Sequence, residues 1–157
     1  MSQQLINHRK DDKFELELKK KELIKKMTEI KKLTKIVLIV YAIIFFIFGV
    51  MLTFLYDMAM NPEGWTNPYF PRMFGGVNFL SSLFAILMLR KKEWEEIKLT
   101  FGYLLGLLIS TLIIEVAVLA TLGSTFGASM IQTGSGTIIL EAVLLTLGIV
   151  SYVKQRN

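Results

Sequence analysis

Four stretches of this chain are almost free of charge, and each is long enough to cross a bilayer. Ile36 to Tyr56 runs for 21 residues without a charge. Met73 to Leu89 supplies 17. Leu99 to Leu122 supplies 24, interrupted by Glu115, and Thr137 to Val153 supplies 17, interrupted by Glu141. A helix crossing ~30 Å of hydrocarbon needs roughly 20 predominantly apolar residues. The runs are continuous, whereas strands of a membrane barrel alternate apolar and polar residues. Backbone that spans hydrocarbon must also satisfy its own hydrogen bonds. The expectation is an all-α four-helix transmembrane bundle.

The charges are placed accordingly. Of 18 Lys and Arg residues, 11 precede Ile36, as do 6 of the 13 acids. Residues 1–35 therefore read as a charged cytoplasmic helical tail, and residues 36–157 as the membrane domain. The net charge of +5 belongs mainly to the tail. It is not a basic footprint spread over a fold, and no zinc-finger or RNP pattern accompanies it, so nucleic acid is not an expected partner. There is no cysteine, and the single histidine, His8, lies in the tail. Thiolate sites, an internal Ser-His-Asp triad and a His-rich metal site are thereby excluded from the bundle, and no cofactor motif is present.

Orientation follows from basic residues beside the spans. The tail has 11, "RKKEWEEIK" (residues 90–98) has 4, and the C-terminus has Lys154 and Arg156. The connection from Asp57 to Arg72 has one, and Ser124 to Gly136 has none. Both ends are expected in the cytoplasm, in a cell membrane. Trp94 and Tyr152 then belong to an inner aromatic belt, and Trp65, Tyr69 and Phe70 to an outer one. The fourth run is short and has Glu141 near its start, which leaves a re-entrant or interfacial segment as its alternative.

Within the tail, Phe14 to Thr34 lacks Gly and Pro, and the pairs Glu15–Lys19, Glu17–Lys21 and Glu22–Lys26 support a helix. Leu16, Leu23 and Ile30 form a partial heptad broken by Lys20, a weak coiled-coil pattern. A basic helix on anionic lipid headgroups and a solvated extension are the two readings of this segment.

Small residues mark close packing. Gly102, Gly106 and Ser110 form a small-xxx-small row on the third span, and Gly75 and Gly76 lie early on the second. The row serves either packing inside the bundle or a homodimer.

Polar groups inside the runs point to a site. At ~1.5 Å per residue, Glu115 lies roughly 25 Å beyond Lys98, Glu141 roughly 20 Å from Lys154, and Asn78 roughly 18 Å from Arg90. Asp57 and Arg72 flank the outer boundary, so all five fall in the outer half. Ionisable groups in lipid face the bundle interior or water and find partners. The expectation is a shared, outward-facing pocket of Arg72, Glu115, Glu141, Asn78 and Asp57. Arg72 would bridge to one glutamate. The pocket would then bind a small cation or a polar headgroup, or the other glutamate would carry a proton. A purely structural Arg–Glu bridge locking helices two and three, with the other acid neutral or reaching water, is the alternative. The loop "DMAMNPEGWTNPYFPR" (residues 57–72), with three prolines, would cap the mouth.

Pro71-Arg72-Met73-Phe74-Gly75, followed by Arg90 and Trp94, resembles small four-helix membrane proteins of the DoxX-like kind. That resemblance implies four helices and a basic residue near the second, and no particular activity. Three functions are compatible with these residues. The first is a non-catalytic accessory or assembly subunit held by a membrane partner, since no P-loop, HExxH or GxSxG occurs. The second is a homodimeric small-solute or ion-coupled transporter using the intramembrane carboxylates. The third is an enzyme acting on lipids or quinones.

Overall fold

The computed structural model describes residues 29–56 and 69–156. It contains four long helices: α1 (Lys32–Phe54), α2 (Tyr69–Leu89), α3 (Trp94–Leu122) and α4 (Ala128–Arg156). A 3-10 turn, Gly123–Thr125, joins α3 to α4. All four helices are long and apolar enough to cross a membrane. The chain thus has the build of a small multi-pass membrane protein. The residues before Glu29, which hold the proposed headgroup-binding helix and most of the partial heptad, lie outside the described residues. So do Asp57 and the loop up to Pro68.

Each helix is longer than its apolar run, and the extensions of α4 and α2 bear on the spans. α4 extends back to Ala128, through the Gly- and Ser-rich stretch before Thr137. Glycine in a helix interior costs about 1 kcal/mol relative to alanine. In hydrocarbon, an unbonded backbone amide costs more, so the helix continues. The fourth segment is one continuous helix, long and apolar enough to cross a membrane. α2 starts at Tyr69 and places Pro71 and Arg72 in its first turn. Proline is tolerated there because the first-turn amides have no helical acceptor.

The helices alternate in direction, and the tightest pairing is α1 with α2. Its cause is a reciprocal glycine contact. A Cβ at Gly75 would lie 2.9 Å from the backbone nitrogen of Thr53, and one at Gly49 would lie 2.9 Å from the Phe79 ring. The Ser82 hydroxyl then donates to the Ala42 carbonyl at 2.8 Å. α1 meets α4 at Gly148, where a Cβ would overlap the Tyr41 hydroxyl and the Leu105 side chain.

The core is concentrated toward the end that carries Lys32, Lys98 and Lys154. On α3 the buried residues are Trp94, Ile97, Phe101, Leu104, Leu108 and Thr111, a stripe at helical spacing. Beyond Thr111 on α3, and before Leu144 on α4, no described residue is fully buried. Trp94, expected in an interfacial belt, is only 5% exposed. It packs edge-on against Phe101 and Tyr152, with ring centroids 5.6 and 5.4 Å away. Tyr69 and Phe70 do remain exposed.

The segment before α1 is part of this core. Residues 29–31 are extended rather than helical. The Ile30 amide donates to the Lys92 carbonyl at 3.0 Å, and Ile30 is buried. Gln155, 1% exposed, closes the knot. Its Oε1 accepts from the Lys31 amide at 2.8 Å and the Thr34 hydroxyl at 3.0 Å, and its Nε2 donates to the Glu29 carbonyl at 2.8 Å. The expected helix from Phe14 to Thr34 therefore does not run into α1, because these backbone groups pair with other segments. Ile30 consequently plays no part in a heptad.

Candidate functional site

Glu115 and Glu141 face each other across α3 and α4, with the Glu115 carboxyl acting directly on that of Glu141. Thr137 stands beside Glu115, and Thr111 stands beside Glu141. Both glutamates are partly buried, just past the point where the bundle core stops. Oε2 of each is shut off from solvent and has no hydrogen-bond partner. Among the described residues, the ion pairs at the basic end are Lys91 with Glu96 at 3.0 Å and Lys98 with Glu95. Neither intramembrane glutamate forms one among the described residues.

The quartet follows from a short internal repeat. Residues 111–119 read TLIIEVAVL and residues 137–145 read TIILEAVLL. Each places a threonine four residues before a glutamate, so hydroxyl and carboxyl share one helix face. The two copies run in opposite directions. Both cross-helix pairs, Thr111 with Glu141 and Glu115 with Thr137, are centred on Phe126 in the turn between the helices. Sequence reasoning found the glutamates and missed the threonines. The repeated Thr-x-x-x-Glu spacing was the signal available.

The other expected site residues lie elsewhere. Arg72 is exposed on the first turn of α2. It is not among the groups acting on Glu115 or Glu141. Asn78 is buried on α2, where its Nδ2 donates to the Phe74 carbonyl of its own helix at 2.9 Å. Asp57 falls outside the described residues. The structure brings the two carboxyls together without the arginine or the asparagine. A cleft lined by Glu29, Ile30, Lys31, Lys32 and Lys35 opens at the opposite end.

The small residues divide in the same way. Gly75 carries a close contact as expected. A Cβ at Gly76, Gly102 or Gly106 would meet nothing within 4 Å, and Ser110 is exposed, bonded to the Gly106 carbonyl at 2.9 Å. The row on α3 therefore does not pack inside the bundle. It turns outward, because the opposite face of α3, from Trp94 to Thr111, fills the core. Gly49 and Gly148 are the close-contact glycines that the row pattern did not reveal.

No family model matches this chain, and no curated protein or solved structure matches it.

Proposed function

We propose that the chain is an ion-coupled membrane carrier in which the Glu115–Glu141 pair holds and releases a proton. One observation carries this reading: two carboxyls face each other in apolar surroundings, with no basic side chain among the described residues acting on either. A charge in hydrocarbon is costly unless it is paired or neutralised. Two facing carboxylates repel, so one proton on the pair relieves both problems. An exchangeable proton at such a place is the working part of many coupled carriers. The distribution of basic residues supports an orientation with the Thr125 end of the bundle outside the cell and both termini in the cytoplasm. The pair then loads from the outer side.

The experiment is reconstitution of the full chain into vesicles containing a pH-sensitive dye. An imposed proton gradient should drive dye-reported uptake in the wild type. Glu115→Gln and Glu141→Gln should each abolish it, and Glu95→Gln, at the basic end, should not. Uptake that is absent from the wild type, or unchanged in both intramembrane variants, contradicts the carrier.

A second reading rests on a separate observation, the outward-facing row of Gly102, Gly106 and Ser110. A helix of another chain approaches closely at such a row, as assembly with a second copy or a membrane partner requires. Crosslinking of Ser110→Cys in native membranes tests it. A specific crosslinked species supports the contact, and its absence removes it.

A further inference from the structure

The basic end of the bundle holds a cleft of about 380 Å³, lined by Glu29, Ile30, Lys31, Lys32 and Lys35. Sites for small ligands occupy roughly 300–1,000 Å³. One wall is the extended segment 29–31. Side chains alternate along extended backbone, so Ile30 turns into the core while Glu29 and Lys31 stay exposed. Gln155 fixes this wall through the Lys31 amide and the Glu29 carbonyl. The other wall is the first turn of α1, where Lys32 and Lys35 are three apart and share a helix face. The cleft therefore gathers three ammonium groups against one carboxylate. Lys91 and Lys98, at the same end, are each paired with a glutamate. Among the described residues, Lys32 and Lys35 pair with none. Lys31 donates one hydrogen to the Lys154 carbonyl, and its ammonium group has two more. The same face of α1 continues into the apolar run as Ile36, Ile39, Ile43 and Ile47, all exposed. Lys35, Ile39, Ile43 and Ile47 are each four apart, one above the other. Lys35 is the last charge before that run, so the cleft lies where headgroups meet acyl chains.

We propose that this cleft and the isoleucine track beside it form a site for one anionic phospholipid. Lys31, Lys32 and Lys35 hold the phosphate, and an acyl chain lies along Ile36, Ile39, Ile43 and Ile47. Lysine ammonium groups bind phosphate as point charges, and basic pockets at membrane helices hold anionic headgroups. The excess of positive charge selects a headgroup with net negative charge over a zwitterionic one. Glu29 offers an acceptor to a headgroup hydroxyl and opposes a second anionic group. The apolar track selects a lipid over free phosphate, which would use the lysines alone. Because Gln155 holds the wall in place, the site is fixed before the lipid arrives, and it takes one lipid rather than a diffuse layer. Its location is independent of Glu115 and Glu141, so it stands or falls apart from the proton reading.

Energy transfer from the tryptophans to chain-labelled phosphatidylglycerol, with the full chain in neutral detergent, reads this binding. Wild type should bind the probe saturably. Unlabelled phosphatidylglycerol should displace it, and phosphatidylcholine with the same chains should do so far less well. Lys32→Gln combined with Lys35→Gln should weaken binding by roughly tenfold or more. Lys91→Gln combined with Lys98→Gln removes the same charge from the same end and should change it by less than about twofold. Lys32→Arg combined with Lys35→Arg keeps the charge and should retain binding, which separates a lost site from a lost fold. Equal losses in the two glutamine pairs would show diffuse attraction to the whole basic end and overturn the site. No loss in either pair, or loss in the arginine pair as well, would also overturn it. Displacement of the probe by inorganic phosphate, but not by chloride of equal ionic strength, would mean a free-anion site and overturn the lipid assignment. Equal competition by phosphatidylcholine would overturn the selection by charge.

Discussion

The Tyr41 hydroxyl donates to the backbone carbonyl of Leu144 at 2.8 Å, joining α1 to α4 in the buried core. That hydroxyl also occupies the space beside Gly148. Tyr41→Phe removes one buried hydrogen bond and should cost about 1 kcal/mol. Gly148→Ala forces a methyl group against the hydroxyl and Leu105 and should cost about 1–3 kcal/mol. The double variant should be less destabilised than the sum, because the phenylalanine removes part of the clash. Unfolding in detergent measures all three, and strict additivity would show that the contact is not the cause.

Gln155 satisfies groups from residues 29, 31 and 34 at once. Gln155→Ala removes the partner of the Lys31 amide and the Glu29 carbonyl and leaves Thr34 only its bond from Ser151, and should cost about 2 kcal/mol. Removal of residues 1–28 should leave the bundle folded, whereas removal of residues 1–31 should destabilise it to a similar degree as Gln155→Ala. Thermal unfolding of the two truncations decides. Equal stability of both would mean that the knot at the start of α1 contributes little.

Glycine substitutions should separate the two kinds of small residue. Gly75→Ala meets Thr53 backbone and should strongly reduce folded yield. Gly102→Ala and Gly106→Ala meet nothing within 4 Å and should be neutral or gain up to about 1 kcal/mol from helix propensity. Size-exclusion chromatography and melting curves of the three variants provide the comparison. A loss of folded protein in Gly106→Ala would contradict an outward-facing row.

What the sequence reveals here depends on whether a property is set along the chain or around a helix axis. The four helices follow from uninterrupted apolar runs, because bilayer thickness fixes a length. The shared depth of Glu115 and Glu141 follows from counting residues. Rotation about each axis is not fixed by such counts. Gly102 and Gly106 satisfy the spacing for close packing yet face outward, while Gly49 and Gly148, outside any such row, make the tight contacts. Trp94 has the composition of a belt residue and the position of a core residue. The extent of α4 was hidden because Gly134-Ser135-Gly136 reads as a turn in water and stays helical here. Gln155 lies between Lys154 and Arg156, where composition suggests a solvated end, and it is among the most buried residues.

Topology gives a further test. Single cysteines at Ser2, Ser124 and Lys154 report the two sides without disturbing the buried Gln155. An impermeant thiol reagent outside intact cells should label only the Ser124→Cys protein. Labelling of the Lys154→Cys protein instead would reverse the orientation and with it the side from which the carboxyl pair loads.

The most direct test of the central claim asks whether the pair holds a proton at neutral pH. Infrared spectra of the wild type in lipid at pH 7, recorded in water and deuterium oxide, isolate the carboxylic-acid band by its isotope shift. The account predicts a band present in the wild type, altered in Glu115→Gln and in Glu141→Gln, and lost when both are replaced. Arg72→Ala should leave it unchanged, since the arginine is not among the groups acting on the pair. A wild-type spectrum with no acid band, or one that survives the double replacement, would contradict the account.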